Sequence, residues 1–165
     1  MRESKRTLEP KKSDAKAQAL RLLTVRDRSV QELRDRLQRQ FAKEEIEEAL
    51  DYLERIGYLD DLRFAKNHVQ YRNRQRPTGN YLMRLELRSK GVRDSYIEQV
   101  LNPPEVEYEL ALSLAKQRLG SLERVDALAR MRRMFGLLQR RGFPSAVARR
   151  VVCELLDRDP ENEYN

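Results

Sequence analysis

The chain has 165 residues, 34 of them basic and 27 acidic, giving a formal charge of +7 and a pI near 9.7, and arginine outnumbers lysine 26 to 8. The guanidinium group is a planar fork of donors matched to phosphates and carboxylates, so a polyanion or an acidic protein surface is the first partner class to consider. One cysteine, Cys153, excludes an internal disulfide and a cysteine zinc cluster. With no signal-peptide core in MRESKRTLEPKKSD and no stretch near the ~18 apolar residues of a membrane span, a reduced cytoplasmic setting without membrane contact is expected.

After a charged tail over 1–14, expected to be mobile, nearly every segment has helical periodicity. A first helix over about 15–27 carries Ala19, Leu20, Leu22, Leu23 and Val25. The second opens at Ser29, where SVQE is a capping box with Glu32, and presents Val30, Leu33, Leu37 and Phe41. On its outer face Glu32 with Arg36 and Asp35 with Arg39 are predicted i,i+4 pairs. The third, over about 43–56, buries Ile46, Ala49, Leu50, Leu53 and Ile56 and stops at Gly57. GYLDD at 57–61 then joins the next unit, with Tyr58 and Leu59 read as packing between units and Asp60 or Asp61 as a cap.

The pattern then recurs. Ala19, Leu23 and Arg26 reappear as Ala65, Val69 and Arg72 and again as Ala111, Ala115 and Arg118, each step being 46 residues. Met83, Leu87, Gly91 and Val100 reappear 51 residues later as Met134, Leu138, Gly142 and Val151. The first unit lacks the glycine of KGV and RGF, so its corresponding turn must close differently. Repeats of this length indicate an array of modules stacked on their neighbours: repeat 1 at 15–60, repeat 2 at 61–104, repeat 3 at 105–156, and an acidic tail at 157–165. Joints fall near 60 and near 103, where NPP interrupts helix continuation. A compact globule of this length would have a radius of gyration of roughly 15 Å. Solution scattering is expected to give a larger value, and the compact value would refute an extended array.

Repeat 2 carries +5 of the +7, and 116–150 holds 10 basic residues against Glu123 and Asp126. A basic surface is therefore expected to run from repeat 2 into repeat 3. Its candidate residues are Arg72, Arg74, Arg76, Arg84, Arg88, Lys90, Arg93, Arg130, Arg132, Arg133, Arg140 and Arg141, with Arg84 and Arg88 one turn apart and able to meet adjacent phosphates. Phe64, Tyr71, Phe135 and Phe143 read as core, while Tyr81 and Tyr96 are open candidates for base stacking.

No phosphate-cradling loop, metal-ligand cluster or activated nucleophile is evident, so neither catalysis nor a cofactor is expected. His68 reads as a structural histidine and Cys153, in VVCELL, as a small buried hydrophobe. The acids of EEIEE at 44–48 suit a helix start.

The stretches ALRLLTVRDRSVQELRDRL (19–37), ERIGYLDDLRFA (54–65) and RLELRSKGV (84–92), followed by Ile97 and Leu101, resemble the bacterial RecX family of RecA regulators over about residues 15–156. Two features depart from that family's pattern: the missing glycine near Gln40, and RPTG in place of a more glycine-rich approach to the helix at 79–90. The resemblance implies an all-α protein of three tandem three-helix, helix-turn-helix-like repeats in an elongated, curved modular array. It also implies a partner, the RecA nucleoprotein filament, bound in its helical groove. The effect would be mostly inhibition of ATPase, strand exchange and coprotease activity in recombination, DNA repair and the SOS response. A monomer is expected, with single-stranded DNA as an auxiliary contact and duplex DNA a weaker one. Two other readings stay open: a helix-turn-helix transcriptional regulator, which Asp94 and Glu98 beside Arg93 argue against, and a helical scaffold, which would leave the charge asymmetry unexplained.

Overall fold

The computed structural model describes residues 14–157 apart from Glu123. The predicted tails therefore lie outside the described residues except at Asp14 and Asp157. Among the described residues there are nine α-helices and no strand: α1 Ala15–Val25, α2 Val30–Leu37, α3 Lys43–Arg55, α4 Asp61–Gln75, α5 Asn80–Ser89, α6 Asp94–Val100, α7 Pro104–Leu119, α8 Ala127–Arg140 and α9 Ser145–Asp157, with a 3-10 turn at Gly120–Leu122. No described helix is long and apolar enough to cross a membrane.

Asp14 caps α1, its carboxylate accepting from the amide of Ala17 at 2.6 Å. The predicted capping box is present: Ser29 Oγ accepts from the Glu32 amide at 3.1 Å, and the Ser29 amide donates to Glu32 Oε2 at 3.3 Å. The helix expected to reach 27 ends at Val25, because Arg26 turns extended and its guanidinium reaches the Asp27 carbonyl and Glu32. That ion pair replaces the expected Glu32 with Arg36, and Asp35 accepts from Gln31 rather than pairing with Arg39.

Two compact units divide at Asp60 and Asp61. The first holds α1 to α3 around Ala19, Leu33, Leu37, Ile46, Leu50, Leu53 and Leu59. Leu59 thus belongs to the first repeat's own core, while Tyr58 is exposed, as is Ile56, which follows the last residue of α3. In the second unit, α4 to α6 close on Phe64, Ala65, Val69, Met83, Leu87, Val92 and Ile97, and α7 to α9 on a separate cluster centred on Ala111, Ala115, Met134, Leu138, Phe143 and Val151. Ala19, Ala65 and Ala111, spaced by 46, are each 0% exposed: the first helix of every repeat packs through a residue with no side-chain bulk. Leu37, Leu87 and Leu138 fill the matching position of the second helix.

The KGV and RGF turns are superimposable in their bonding. At α5 the Gly91 amide donates to Arg88 O and Val92 to Leu87 O; at α8 Gly142 donates to Gln139 O and Phe143 to Leu138 O. This is the Schellman closure, which requires a left-handed residue at the glycine, and φ is +76° at Gly91 and +80° at Gly142. The first repeat closes α2 differently, as its sequence requires: Gln38 stays right-handed at φ −59°, and the amides of Gln40 and Phe41 both return to Leu37 O.

Repeats 2 and 3 are tied together at the joint predicted near 103. The Gly79 amide donates to Arg141 O at 2.8 Å, and a Cβ built on Gly79 would stand 2.2 Å from Gly142 O. Asn102, in NPP, exchanges side-chain hydrogen bonds with Asn73 and is linked to Asn80 through its own amide and carbonyl. Glu107 on α7 accepts from the Asn80 amide at 2.7 Å and from Asn80 Nδ2 at 3.2 Å. Gly79 has no side chain with which to cap α5, so the next repeat supplies the carboxylate to that helix start.

Candidate interface for an anionic partner

The structure divides the twelve candidate residues into two groups. In the first, the positive charge is already engaged. Arg84 makes a two-pronged pair with Glu98 on α6, at 2.8 and 3.1 Å, and Arg88 meets Asp94 at 2.7 Å. Each arginine holds its acid below the usual carboxylate range by that hydrogen bond. The two acids that argued against base reading are thus the partners of the two arginines expected to meet phosphates. Such exposed pairs are weak, so an incoming phosphate can displace them, but the resting charge is neutralised. Arg72 is half-buried and bonds Glu86 at 2.5 Å, Arg93 lies over the Tyr96 ring at 4.5 Å, Lys90 lies 5.9 Å from the centre of the Phe64 ring, and Arg130 donates to Val125 O.

In the second group, Arg74, Arg76, Arg132, Arg133, Arg140 and Arg141 form no ion pair among the described residues, and all but Arg141 are exposed. Arg118, used only as a marker of the repeat at the sequence level, joins them. Its signal was present in the sequence: α8 contains no acidic residue with which to pair it.

The aromatic residues are only partly as expected. Phe64 and Phe143 are buried, and Phe135 packs partly buried against the third core. Tyr71, predicted to be core, is 63% exposed, because it falls on the α4 face opposite Ala65 and Val69; Tyr81 is 64% exposed. His68 Nε2 lies 3.1 Å from Glu86 Oε2 and its ring stacks on Phe64, the structural role expected of it. Cys153 is exposed rather than buried, since α9 turns Val151, Val152 and Leu156 inward and leaves 153 on the opposite face. Among the described residues no group of three His, Cys, Asp or Glu could hold a metal ion.

An all-helical chain of three related three-helix modules, with arginine surplus in the second and third, defines a class of helical-repeat proteins. The models of the first, second and third three-helix domains of RecX match residues 15–53, 60–101 and 105–152, and the chain belongs to the RecX family. It is 38% identical to the regulatory protein RecX of Prosthecochloris aestuarii over 142 residues, covering 84% of this chain and 91% of the relative. It is also 38% identical to that of Amycolatopsis mediterranei, covering 82% and 79%. A solved structure of regulatory protein RecX aligns with a TM-score of 0.76 at 26% identity, over 83% of this chain and 70% of the other. RecX from Lactobacillus salivarius aligns at 0.78 and 20% identity, over 87% and 94%, which speaks to the fold.

Proposed function

We propose that the protein is a cytoplasmic regulator that binds the RecA nucleoprotein filament in its helical groove and mostly inhibits ATP hydrolysis, strand exchange and coprotease activity. Family membership carries the reading; the arginines on repeats 2 and 3 that have no acidic partner among the described residues support it. A polyvalent arginine surface would contact acidic RecA side chains and the phosphates of the bound strand, bridging successive protomers and resisting their exchange. On α8 the exposed Leu128 and Met131 stand beside Arg132, a mixture suited to a protein surface better than to bare DNA.

The test is RecA's single-strand-dependent ATP hydrolysis with increasing substoichiometric amounts of the protein. Inhibition is expected at ratios far below one. Arg132→Glu with Arg133→Glu should keep the far-UV helical signal and lose inhibition at least tenfold in effective concentration. Arg84→Glu with Arg88→Glu should lose less, since those charges are already compensated. No effect on RecA, with tight binding to one duplex sequence, would instead favour the transcriptional regulator.

A further inference from the structure

The arginine in or just beyond the last turn of the first helix of each repeat has a different environment in each copy. Arg26 pairs with Glu32 at 3.1 Å, and Arg72 with Glu86 at 2.5 Å. Arg118 is the third copy, and α8, the helix that would supply its acid, reads ALARMRRMFGLLQR. The position 51 residues after Glu86 is Leu137. Among the described residues Arg118 forms no ion pair.

What surrounds Arg118 is more positive charge. The Gly79 amide bond to Arg141 O sets the end of α8 against the segment that follows α4, three residues from Arg76. Burial, then the charges of Arg76, Arg118 and Arg72, hold the Arg141 guanidinium below its ordinary value. Within the same cluster, Arg141 Nη1 and Arg72 Nε are buried nitrogen atoms with no hydrogen-bond acceptor among the described residues. Arginines at helix C-termini are ordinarily explained by the helix dipole. Burial is the largest influence on Arg141, and the charges of the three neighbouring arginines act in the same direction. Buried donors without acceptors cost free energy until something accepts from them.

We propose that Arg76, Arg118 and Arg141, buttressed by Arg72, form a site for one phosphodiester group of single-stranded nucleic acid, the external phosphate supplying the negative charge that Leu137, at the position matching Glu86, does not. Tyr71 and Arg74 are exposed on α4 three residues apart, Tyr71 preceding Arg72 in the chain; an exposed ring and a cation that share a helix face favour a nucleic-acid strand over an acidic peptide, since bases stack on such rings. The proposal deepens the reading of the protein as a regulator of a nucleoprotein filament by locating its strand contact at the joint between repeats 2 and 3.

The experiment measures binding of a fluorescent oligo-dT to the full chain without RecA, over a salt series, for the wild type, for Arg118→Ala with Arg141→Ala, and for Arg36→Ala with Arg39→Ala. The last pair removes the same charge from exposed positions on repeat 1. The cluster variant is expected to bind at least tenfold more weakly and to flatten the log-log salt slope by roughly 0.7 for each phosphate it no longer neutralises, while the repeat 1 variant changes less than threefold. Inorganic pyrophosphate should raise the melting temperature of the wild type and not that of the cluster variant, a readout that also shows whether the variant is folded. Equal weakening by both pairs would reduce the effect to net charge and overturn the site. A folded cluster variant with wild-type oligo-dT binding but without RecA inhibition would overturn the phosphate assignment while leaving the filament reading intact. Retained oligo-dT discrimination with no effect on RecA would do the opposite.

Discussion

Gly142→Ala is expected to destabilise the protein about twice as much as Gly57→Ala, although the two glycines have nearly the same backbone conformation. Their φ angles are +80° and +75°, and each closes a helix in the same way. An L-residue in that region costs about 1–2 kcal/mol. At Gly57 this is the whole effect, since an added Cβ meets nothing within 4 Å. At Gly142 the Cβ would stand 2.4 Å from Leu82 Cβ and 2.6 Å from the Leu82 amide nitrogen, so the RGF turn must move off α5. Overpacking of that kind adds roughly 1–3 kcal/mol. Urea unfolding followed by far-UV circular dichroism separates the two; equal losses would mean that the turn and α5 part without cost.

Glu107 governs the second large effect. Its carboxyl is buried and accepts both Asn80 donors; Glu107→Ala leaves the Asn80 amide at the α5 start without an acceptor, at about 1–3 kcal/mol, while Asn80 Nδ2 keeps its bond to Asn102 O. Burial is the first influence on its acidity and pushes it up, against the Asn80 amide and the Arg84 charge, which pull it down. A carboxyl with a raised folded pKa binds more protons folded than unfolded between the ordinary glutamate value, about 4.3, and the raised one. Stability contributed by this group therefore falls as pH rises through that window and is level above it. Glu107→Gln keeps one acceptor and removes the charge, so it should cost less than Glu107→Ala at neutral pH and lose that component of the pH dependence. Identical pH profiles for wild type and Glu107→Gln would show that the buried carboxyl does not titrate there.

Much of the fold was legible because it repeats. Ala19, Ala65 and Ala111, and the glycines of KGV and RGF, mark the same packing positions in different copies, and each proved buried or left-handed as that reading requires. The site was less legible, because charge count does not tell which charges are engaged. Arg84 and Arg88 looked free when α5 was read alone; their partners lie 14 and 6 residues onward, on α6. Arg118 looked like a register mark because the informative fact was an absent acid in another helix. Tyr71 and Cys153 were misplaced for a shared reason: each was read from its apolar neighbours in sequence, whereas the helical turn sets it on the face opposite the buried residues.

The contact between Gly79 and Gly142 also limits how this chain can be cut. Repeat 2 looks self-contained, with three helices and its own core, and a boundary at the two prolines of NPP would be the natural place to divide it from repeat 3. A fragment ending there loses the carboxylate that completes the α5 start, the carbonyl that receives the Gly79 amide, and the surface that makes glycine the fitting residue at 79. The second unit, α4 to α9, keeps all of these partners at the joint, so an exchange of modules between relatives would have to move repeats 2 and 3 together.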